Sequence, residues 1–175
     1  MSLSRPTLRL VVFPSALGWM ALIGSDQAVR QLTFGHKSSR AAVAGLDPRL
    51  VQAARKARWE PAIVARLRAY ASGTADDFRD VPVDPGQQTP FQRRVLDTCR
   101  RIPLGATLTY GQLAAKAGAP AAARAVGRCM ATNPIPLVIP CHRVVGSDGR
   151  LRGYSGVGGT AMKRCLLDLE AAMLG

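Results

Sequence analysis

Two prolines placed two residues apart in Asn133-Pro134-Ile135-Pro136 constrain this chain more than any other short stretch. Each fixes its own φ, removes a backbone donor and pushes the preceding residue out of the helical region, so neither a helix nor a central strand can cross the segment. Whatever precedes it must end there, and the chain restarts in a new direction. It restarts as the apolar run Leu137-Val138-Ile139, followed by Pro140-Cys141-His142-Arg143-Val144 and the turn-like Gly146-Ser147-Asp148-Gly149. This pattern predicts a buried strand whose polar tip opens into a cleft, with a thiol and an imidazole on adjacent residues. An ordinary thiol has a pKa of about 8.5 and is only slightly ionised at neutral pH, so a base beside it reads as activation of a nucleophile. Adjacent residues of an extended chain face opposite ways, which leads His142 to the sulfur through a water rather than directly. A bare Cys-His pair also fits a buried thiol beside a surface imidazole, and the rest of the chain has to decide.

Upstream of the prolines, Thr109-Tyr110-Gly111-Gln112 is a capping box that opens a short helix ending at Gly118. Pro120 then starts a second helix, Pro120 to Thr132, after a turn of a few residues, which is a helix-turn-helix arrangement. Sequence-reading helices carry Arg, Asn or Gln toward several base edges. Here Ala121, Ala122, Ala123, Arg124, Ala125, Val126 and Gly127 offer one such side chain, Arg124. A surface of alanines and a glycine suits close backbone approach, with Arg124 as a single projecting probe. That predicts shape-tolerant binding through the minor groove without sequence specificity. The competing reading is a buried, alanine-rich packing helix. A further capping box, Thr89-Pro90-Phe91-Gln92, opens a helix with Phe91, Val95, Leu96, Cys99 and Ile102 on one face. Arg93, Arg94, Arg100 and Arg101 fall mostly off that face, as a solvated basic surface or as phosphate contacts.

Charge separates the classes of partner. The 24 Lys and Arg exceed the 11 Asp and Glu, a formal net charge of +13, and point to a polyanion, nucleic acid before an anionic membrane. The four cysteines, Cys99, Cys129, Cys141 and Cys165, are dispersed, and with only His36 and His142 as imidazoles no metal-ligand spacing can be assembled. Neither a metal nor another cofactor is expected, and the unpaired thiols fit a reducing cytoplasm. Arg5 and Arg9 before the stretch Leu10 to Gly24 mimic a short secretion signal, but Pro14, Gly18 and Trp19 interrupt it and it is too short to span a bilayer. Two strands joined by a turn over Pro14 to Gly18 are expected instead.

Leu8–Phe13, Trp19–Ile23 and Val29–Phe34 read as an antiparallel meander, and Pro48–Arg58 and Pro61–Ser72 as helices, the second closing at Gly73. Asp80 to Gln88, with two prolines and a glycine, reads as a linker. The expected fold class is α+β: a small N-terminal antiparallel sheet with helices (residues 1–79), the linker (80–88) and a mainly helical helix-turn-helix, winged-helix-like domain for DNA binding and catalysis (89–175). Gly153 to Gly159 is a glycine-rich loop whose free N–H groups suit a pocket wall, without the lysine and spacing of a nucleotide loop. Thr160–Met173 reads as an amphipathic helix with Met162, Leu166, Leu167 and Leu169 inward and Glu170 near its end.

Taken together, these residues resemble the O6-alkylguanine-DNA alkyltransferase family, the methylated-DNA–protein-cysteine methyltransferases. The resemblance is carried by Phe91-Gln92, Tyr110-Gly111-Gln112-Leu113-Ala114, Ala123 to Gly127, Asn133 to Pro136, Ile139 to Val144, Gly153 to Gly156, and Leu166-Leu167 before Glu170. It extends more weakly through Pro14 to Trp19 and Leu32 to Gly35. It implies direct DNA repair: one irreversible transfer of the alkyl group from O6-alkylguanine, and also O4-alkylthymine, to Cys141 after the base is flipped through the minor groove. Flipping is needed because the alkylated oxygen is inaccessible inside the duplex. In this reading Cys141 is the nucleophile, and His142 accepts its proton through a water. Glu170 orients the imidazole, Asn133 holds the turn, and Tyr110 neutralises the leaving guanine. Arg124, Tyr110, Ala123 and Gly127 meet DNA, with Arg124 filling the gap in the stack, while Met130, Val144, Tyr154, Ser155 and Gly156 seat the base. The implied partner is double-stranded DNA containing O6-alkylguanine, bound by a monomer without sequence specificity; the implied location is cytoplasmic, at the nucleoid in a bacterium. Two departures stand out. Tyr154 to Glu170 is a residue or two longer than usual, through Gly158-Gly159-Thr160, and Leu96 replaces a common Trp. The alternatives are a helix-turn-helix DNA-binding protein without chemistry, a lesion sensor, of a kind that lacks the cysteine, and a Cys-His hydrolase.

Overall fold

Residues 6–56 and 58–175 are described by the computed structural model; Arg5 of the signal-like reading and Ala57 of the expected Pro48–Arg58 helix lie outside them. β1 (Arg9–Ser15), β2 (Gly18–Gly24) and β3 (Val29–His36) form the expected antiparallel meander, in the order β1-β2-β3. Ser15 pairs with Gly18, so the first turn is a two-residue hairpin, and Gly18 takes a φ of 91° that a side chain would strain. Pro14 is tolerated because β1 is an edge strand. Successive residues of β2 face opposite sides. Met20 and Leu22 join the main core with Phe13, Leu32 and Phe34, while Ala21 and Ile23 pack on the other face with Ala42 and Leu46.

That second face is covered by α1 (Ser39–Ala44) and α2 (Pro48–Ala53). α1 was not anticipated from the sequence: it is a short helix capped by Ser38, whose Oγ accepts from the Ala41 N–H at 3.1 Å. α2 ends earlier than the expected Arg58. Ala54 turns extended and the Arg55 N–H donates to the Leu8 carbonyl at 2.8 Å, because a free sheet edge offers acceptors that a basic, non-periodic segment cannot find in a helix. α3 (Ala62–Ala71) closes as expected, with Gly73 at φ 99° donating to the Tyr70 carbonyl. The Asp80–Gln88 stretch is tied to the sheet, as Val29 N donates to Pro82 O at 2.9 Å and Asp84 N to Val29 O at 2.8 Å.

In the second half, α4 (Pro90–Arg100) and α5 (Tyr110–Lys116) each begin with a complete capping box, on Thr89 and Thr109. α6 (Ala123–Ala131) starts later than the expected Pro120, which sits in the preceding turn; Ala122 at the cap provides no side-chain oxygen to hold an earlier start. β4 (Leu108–Thr109) pairs in parallel with β5 (Val144–Val145), and α7 (Gly159–Met173) ends the chain's regular structure. The arginines of α4 are not simply a solvated or phosphate-binding face. Arg100 Nη2 donates to the carbonyls of Phe78, Arg79 and Val81, strapping the segment before α4 to it, and Arg94 Nε donates to Ala117 O.

One apolar core runs through both halves, joining Phe13, Leu32 and Tyr70 to Val95, Ile135 and Leu166. Among the described residues no helix is long and apolar enough to cross a membrane. The expected strand before Cys141 does not form. Leu137 to Ile139 are a turn, Leu137 has a φ of 70°, and Cys141–Arg143 make one turn of 3-10 helix. Two prolines leave this stretch with too few donors for a ladder, so its polar groups are satisfied locally: Ile139 N donates to Ile135 O at 2.9 Å and Cys141 N to Ile139 O at 2.8 Å.

Candidate active site

Asn133 is the clamp of this turn. Its Nδ2 donates to the Ile139 carbonyl at 2.8 Å while its Oδ1 accepts from the Ile135 N–H at 3.0 Å, so one side chain bridges both ends of the Pro-x-Pro segment. The bridge holds Leu137 in its left-handed conformation, which costs of order 1–3 kcal/mol for a residue with a side chain. A hydrogen bond from Leu32 N to Pro134 O, 3.0 Å, anchors the same segment to β3.

Cys141 lies 5% exposed at the wall of a cavity of about 240 Å³. Asn133, Tyr154, Ser155 and Gly156 line the same cavity, so five of the expected site residues come together there. Burial pushes the Cys141 thiol up from its ordinary pKa, opposed by Asn133 and by the Lys163 ammonium. The resting group is therefore the protonated thiol, and attack requires a proton acceptor.

Behind the cysteine, His142 is fully buried, and its Nε2 lies 2.8 Å from Glu170 Oε1. Burial lowers the His142 pKa, only partly offset by Glu170. The contact is thus a neutral imidazole donating Nε2–H to a carboxylate, and Nδ1, which has no hydrogen-bond partner, keeps a lone pair free. For Glu170, burial pushes the pKa up, but hydrogen bonds from His142 and Arg143 together outweigh it and hold the carboxyl well below the usual carboxylate range. Glu170 is completely buried, unlike most carboxylates near the end of a helix. It accepts from Arg143 Nη2 at 2.7 Å and Nε at 2.9 Å, from the Tyr70 hydroxyl at 2.7 Å, and from Gly105 N at 3.3 Å. Arg143, 1% exposed, spends its remaining donor Nη1 on the Ile102 carbonyl at 2.7 Å.

Three of these participants, Arg143, Lys163 and Tyr70, were missed from the sequence. Arg143 stands inside the Cys-His-Arg run, and a cation entering a buried segment had to find a carboxylate there. Lys163 and Glu170 lie seven residues apart on α7 with Leu166 between them, and all three are buried. Their spacing puts them on one helical face, a signal that the apolar pattern obscured. Met162, Leu167 and Leu169, expected inward, are only half-buried. Lys163 Nζ approaches the Tyr110 hydroxyl at 3.5 Å and donates to the Arg152 carbonyl at 3.3 Å. Tyr70, a hundred residues from Glu170, had no local signal at all.

A second, more open space of about 960 Å³ lies on the helix-turn-helix side. Tyr110, Ala123, Arg124 and Gly127 line it, joined by Arg152 and Ser147, and Arg124 is exposed. A Cβ built on Gly127 would stand 4.0 Å from the Tyr110 ring, so the protein itself leaves room for a methyl there and the small residue keeps this face of α6 low. The bland alternative of a buried packing helix fails on this face, although Val126, Cys129 and Met130 on the other face are core. Met130 and Val144 line neither space; both are buried in the core behind them. The expected extra loop residues Gly158 and Gly159 form the start of α7, both with positive φ.

The chain matches a known family. Residues 90–172 match the model of the 6-O-methylguanine DNA methyltransferase DNA binding domain. The chain is 48% identical over 107 residues to the methylated-DNA–protein-cysteine methyltransferase of Mycobacterium tuberculosis, a match covering 61% of this chain and 62% of that protein. Its identity to the protein of the same name from Mycolicibacterium paratuberculosis is 38% over 158 residues, 89% of this chain and 88% of the relative. The crystal structure of Mycobacterium tuberculosis OGT in complex with DNA superposes with a TM-score of 0.69 at 32% identity, over 94% of each chain. On this agreement of sequence and fold, the chain belongs to the methylated-DNA–protein-cysteine methyltransferase family.

Proposed function

We propose that this protein repairs DNA directly, by transferring the alkyl group of O6-alkylguanine, and of O4-alkylthymine, to Cys141 in a single irreversible event. The observation that carries the reading is the thiol at the cavity wall with the buried His142–Glu170 pair next to it. The net positive charge and the DNA complex of the mycobacterial relative support duplex DNA as partner.

The groove at Tyr110, Ala123, Arg124 and Gly127 takes the minor groove, with small residues permitting close approach and Arg124 entering the stack in place of the extruded base. Extrusion costs a few kcal/mol, less where pairing is already weakened by the alkyl group. The base then lies against Tyr154, Ser155 and Gly156. The Cys141 thiol proton passes through a water to Nδ1 of neutral His142, and Glu170 holds the tautomer and stabilises the imidazolium, as in a catalytic triad. The sulfur forms a bond to the alkyl carbon as the carbon–oxygen bond breaks. The electron pair goes to the guanine, which gains a proton from Tyr110, whose hydroxyl Lys163 orients. The thioether product has no leaving group for water to displace, so each molecule acts once.

The test is incubation with duplex DNA carrying O6-methylguanine, followed by mass spectrometry of the Cys141 peptide. One added methyl, lost in Cys141→Ser, is expected; bound DNA with an unmodified Cys141 would refute the proposal and leave a DNA-binding protein without chemistry.

A further inference from the structure

The cavity at Cys141 has a second wall that the proposed chemistry does not use. Gln31, Thr33 and His36, all on β3 of the N-terminal sheet, line it together with Pro134 and Pro136 of the active-site turn. Their polar atoms are held in place by other contacts. Gln31 Oε1 accepts from the Asp47 N–H at 3.0 Å, which turns its amide nitrogen, a donor with no protein partner among the described residues, away from that contact. Thr33 Oγ1 donates to the Ala42 carbonyl at 2.9 Å and keeps its lone pairs. The His36 ring packs against Gly45, where an added Cβ would stand 2.9 Å from Cε1 and 3.0 Å from Nε2. The loop that carries Ser155 and Gly156 closes onto the same strand: a Cβ on Gly35 would stand 3.4 Å from Val157 Cβ and 3.2 Å from Met162 Cε. The cavity is thus a composite of two parts of the chain distant in sequence, and its β3 side carries donors and acceptors but no charged group.

A sulfur attacking an alkyl carbon needs only that carbon in line. Anything attached to the carbon projects sideways from the sulfur–carbon–oxygen axis and must be housed elsewhere in the cavity. Methyl leaves that room unused. A neutral polar wall suits a group that donates and accepts one hydrogen bond, whereas a carboxylate there would lose its hydration without gaining a cation.

Resting on the alkyl-transfer reading above, we propose that β3 forms a distal subsite for the outer end of adducts larger than methyl, one that favours a short hydroxyalkyl chain over a plain alkyl chain of the same length. Gln31, Thr33 and His36 are its specificity-determining residues. They touch the adduct and not the reacting atoms.

The test compares single-turnover transfer to Cys141 from duplexes carrying O6-methyl-, O6-ethyl- and O6-(2-hydroxyethyl)guanine. In the unaltered protein, hydroxyethyl is transferred faster than ethyl by about two- to tenfold, the ratio that one hydrogen bond of ordinary net strength supplies. His36→Leu, which keeps the ring's bulk and removes its polar atoms, lowers the hydroxyethyl-to-ethyl ratio toward one. Gly45 has a φ of −77°, compatible with any residue, and itself lines the cavity, so Gly45→Ala narrows this wall by its own methyl and by displacing the His36 ring. It lowers both the ethyl-to-methyl and hydroxyethyl-to-methyl ratios. Methyl transfer by the unaltered protein with a hydroxyethyl-to-ethyl ratio of one, or ratios that neither variant changes, overturns the subsite alone. No methyl transfer by the unaltered protein overturns the alkyl-transfer function, and the subsite with it.

Discussion

Replacing Glu170 with Gln changes one oxygen to an amide nitrogen, yet it should be among the most damaging isosteric substitutions in the protein. The carboxylate receives hydrogen bonds from His142, Arg143, Tyr70 and Gly105, all inside the core. Gln can accept at one oxygen only and turns two donors toward groups that are themselves donors. Arg143, 1% exposed, is then left as an uncompensated buried cation. Removing one partner of such a pair costs about 3–5 kcal/mol. For a chain of this size that amounts to a drop in Tm of about 6–20 °C, and a large part of the stability typical of a folded domain. Chemical denaturation followed by fluorescence measures the loss. The same substitution should slow methyl transfer at temperatures where the variant is folded. The Gln amide can donate to Nε2 and shift the imidazole proton to Nδ1, which then cannot accept the proton from Cys141. The pH profile provides a second readout. Glu170 and His142 both have folded pKa values below their ordinary ones, so each contributes stability that is present above the unfolded pKa and lost as pH falls toward the folded value. The native protein should therefore weaken from about pH 6.5 downward, where unfolded histidine begins to protonate, and further below about pH 4.3 as unfolded glutamate does. Glu170→Gln should flatten the lower part of this decline. A destabilisation under about 1 kcal/mol with unaltered transfer kinetics would refute the account of Glu170 as the hub of the site.

Three further substitutions probe separate parts of the structure. Tyr70→Phe removes one buried hydrogen bond to an ionised group and should cost about 1.5–3 kcal/mol in denaturant titrations, with a smaller effect on transfer than Glu170→Gln because His142 keeps its partner. Asn133→Ala breaks both bonds of the clamp, leaving the Ile139 carbonyl and the Ile135 N–H without that partner; a loss of about 2 kcal/mol or more is expected, with slower alkylation of Cys141 as its turn loosens. Arg124→Ala, at an exposed position, should leave thermal stability within about 0.5 kcal/mol while slowing transfer from duplex DNA far more than from a free O6-alkylguanine base. Equal slowing on both substrates would show that Arg124 does not act in base extrusion.

What could be read from the sequence followed from how local each signal was. Thr89 and Thr109 announced their helices because a capping box is complete within four residues, and the three strands of the meander were marked by apolar runs between turn residues. Cys141, Asn133, Tyr154, Ser155 and Gly156 were identified through motif residues and do meet around one cavity. The supposed strand before Cys141 failed because Leu137-Val138-Ile139 looks the same whether its backbone pairs with a neighbour or folds on itself, and only the local hydrogen bonds decide. Lys163 was missed, and the full burial of Glu170 was not legible, because a charged residue on an amphipathic helix is normally a solvent-face residue. Their burial depends on Tyr110, Arg143 and Tyr70, which lie far away in sequence. The contribution of β3 to the cavity was likewise invisible, since it arises from how two halves of the chain pack.

The four-way meeting at Glu170 also bears on timing. Its partners come from α3, from the loop before β4 and from the Cys-His-Arg turn, and Glu170 is the last of them to leave the ribosome. Until that residue has emerged and the rest has closed around it, Cys141 is an unassisted cysteine in an unfinished chain. Under the proposed chemistry, the proton-accepting His142–Glu170 pair therefore exists only once α7 has closed on the elements made before it.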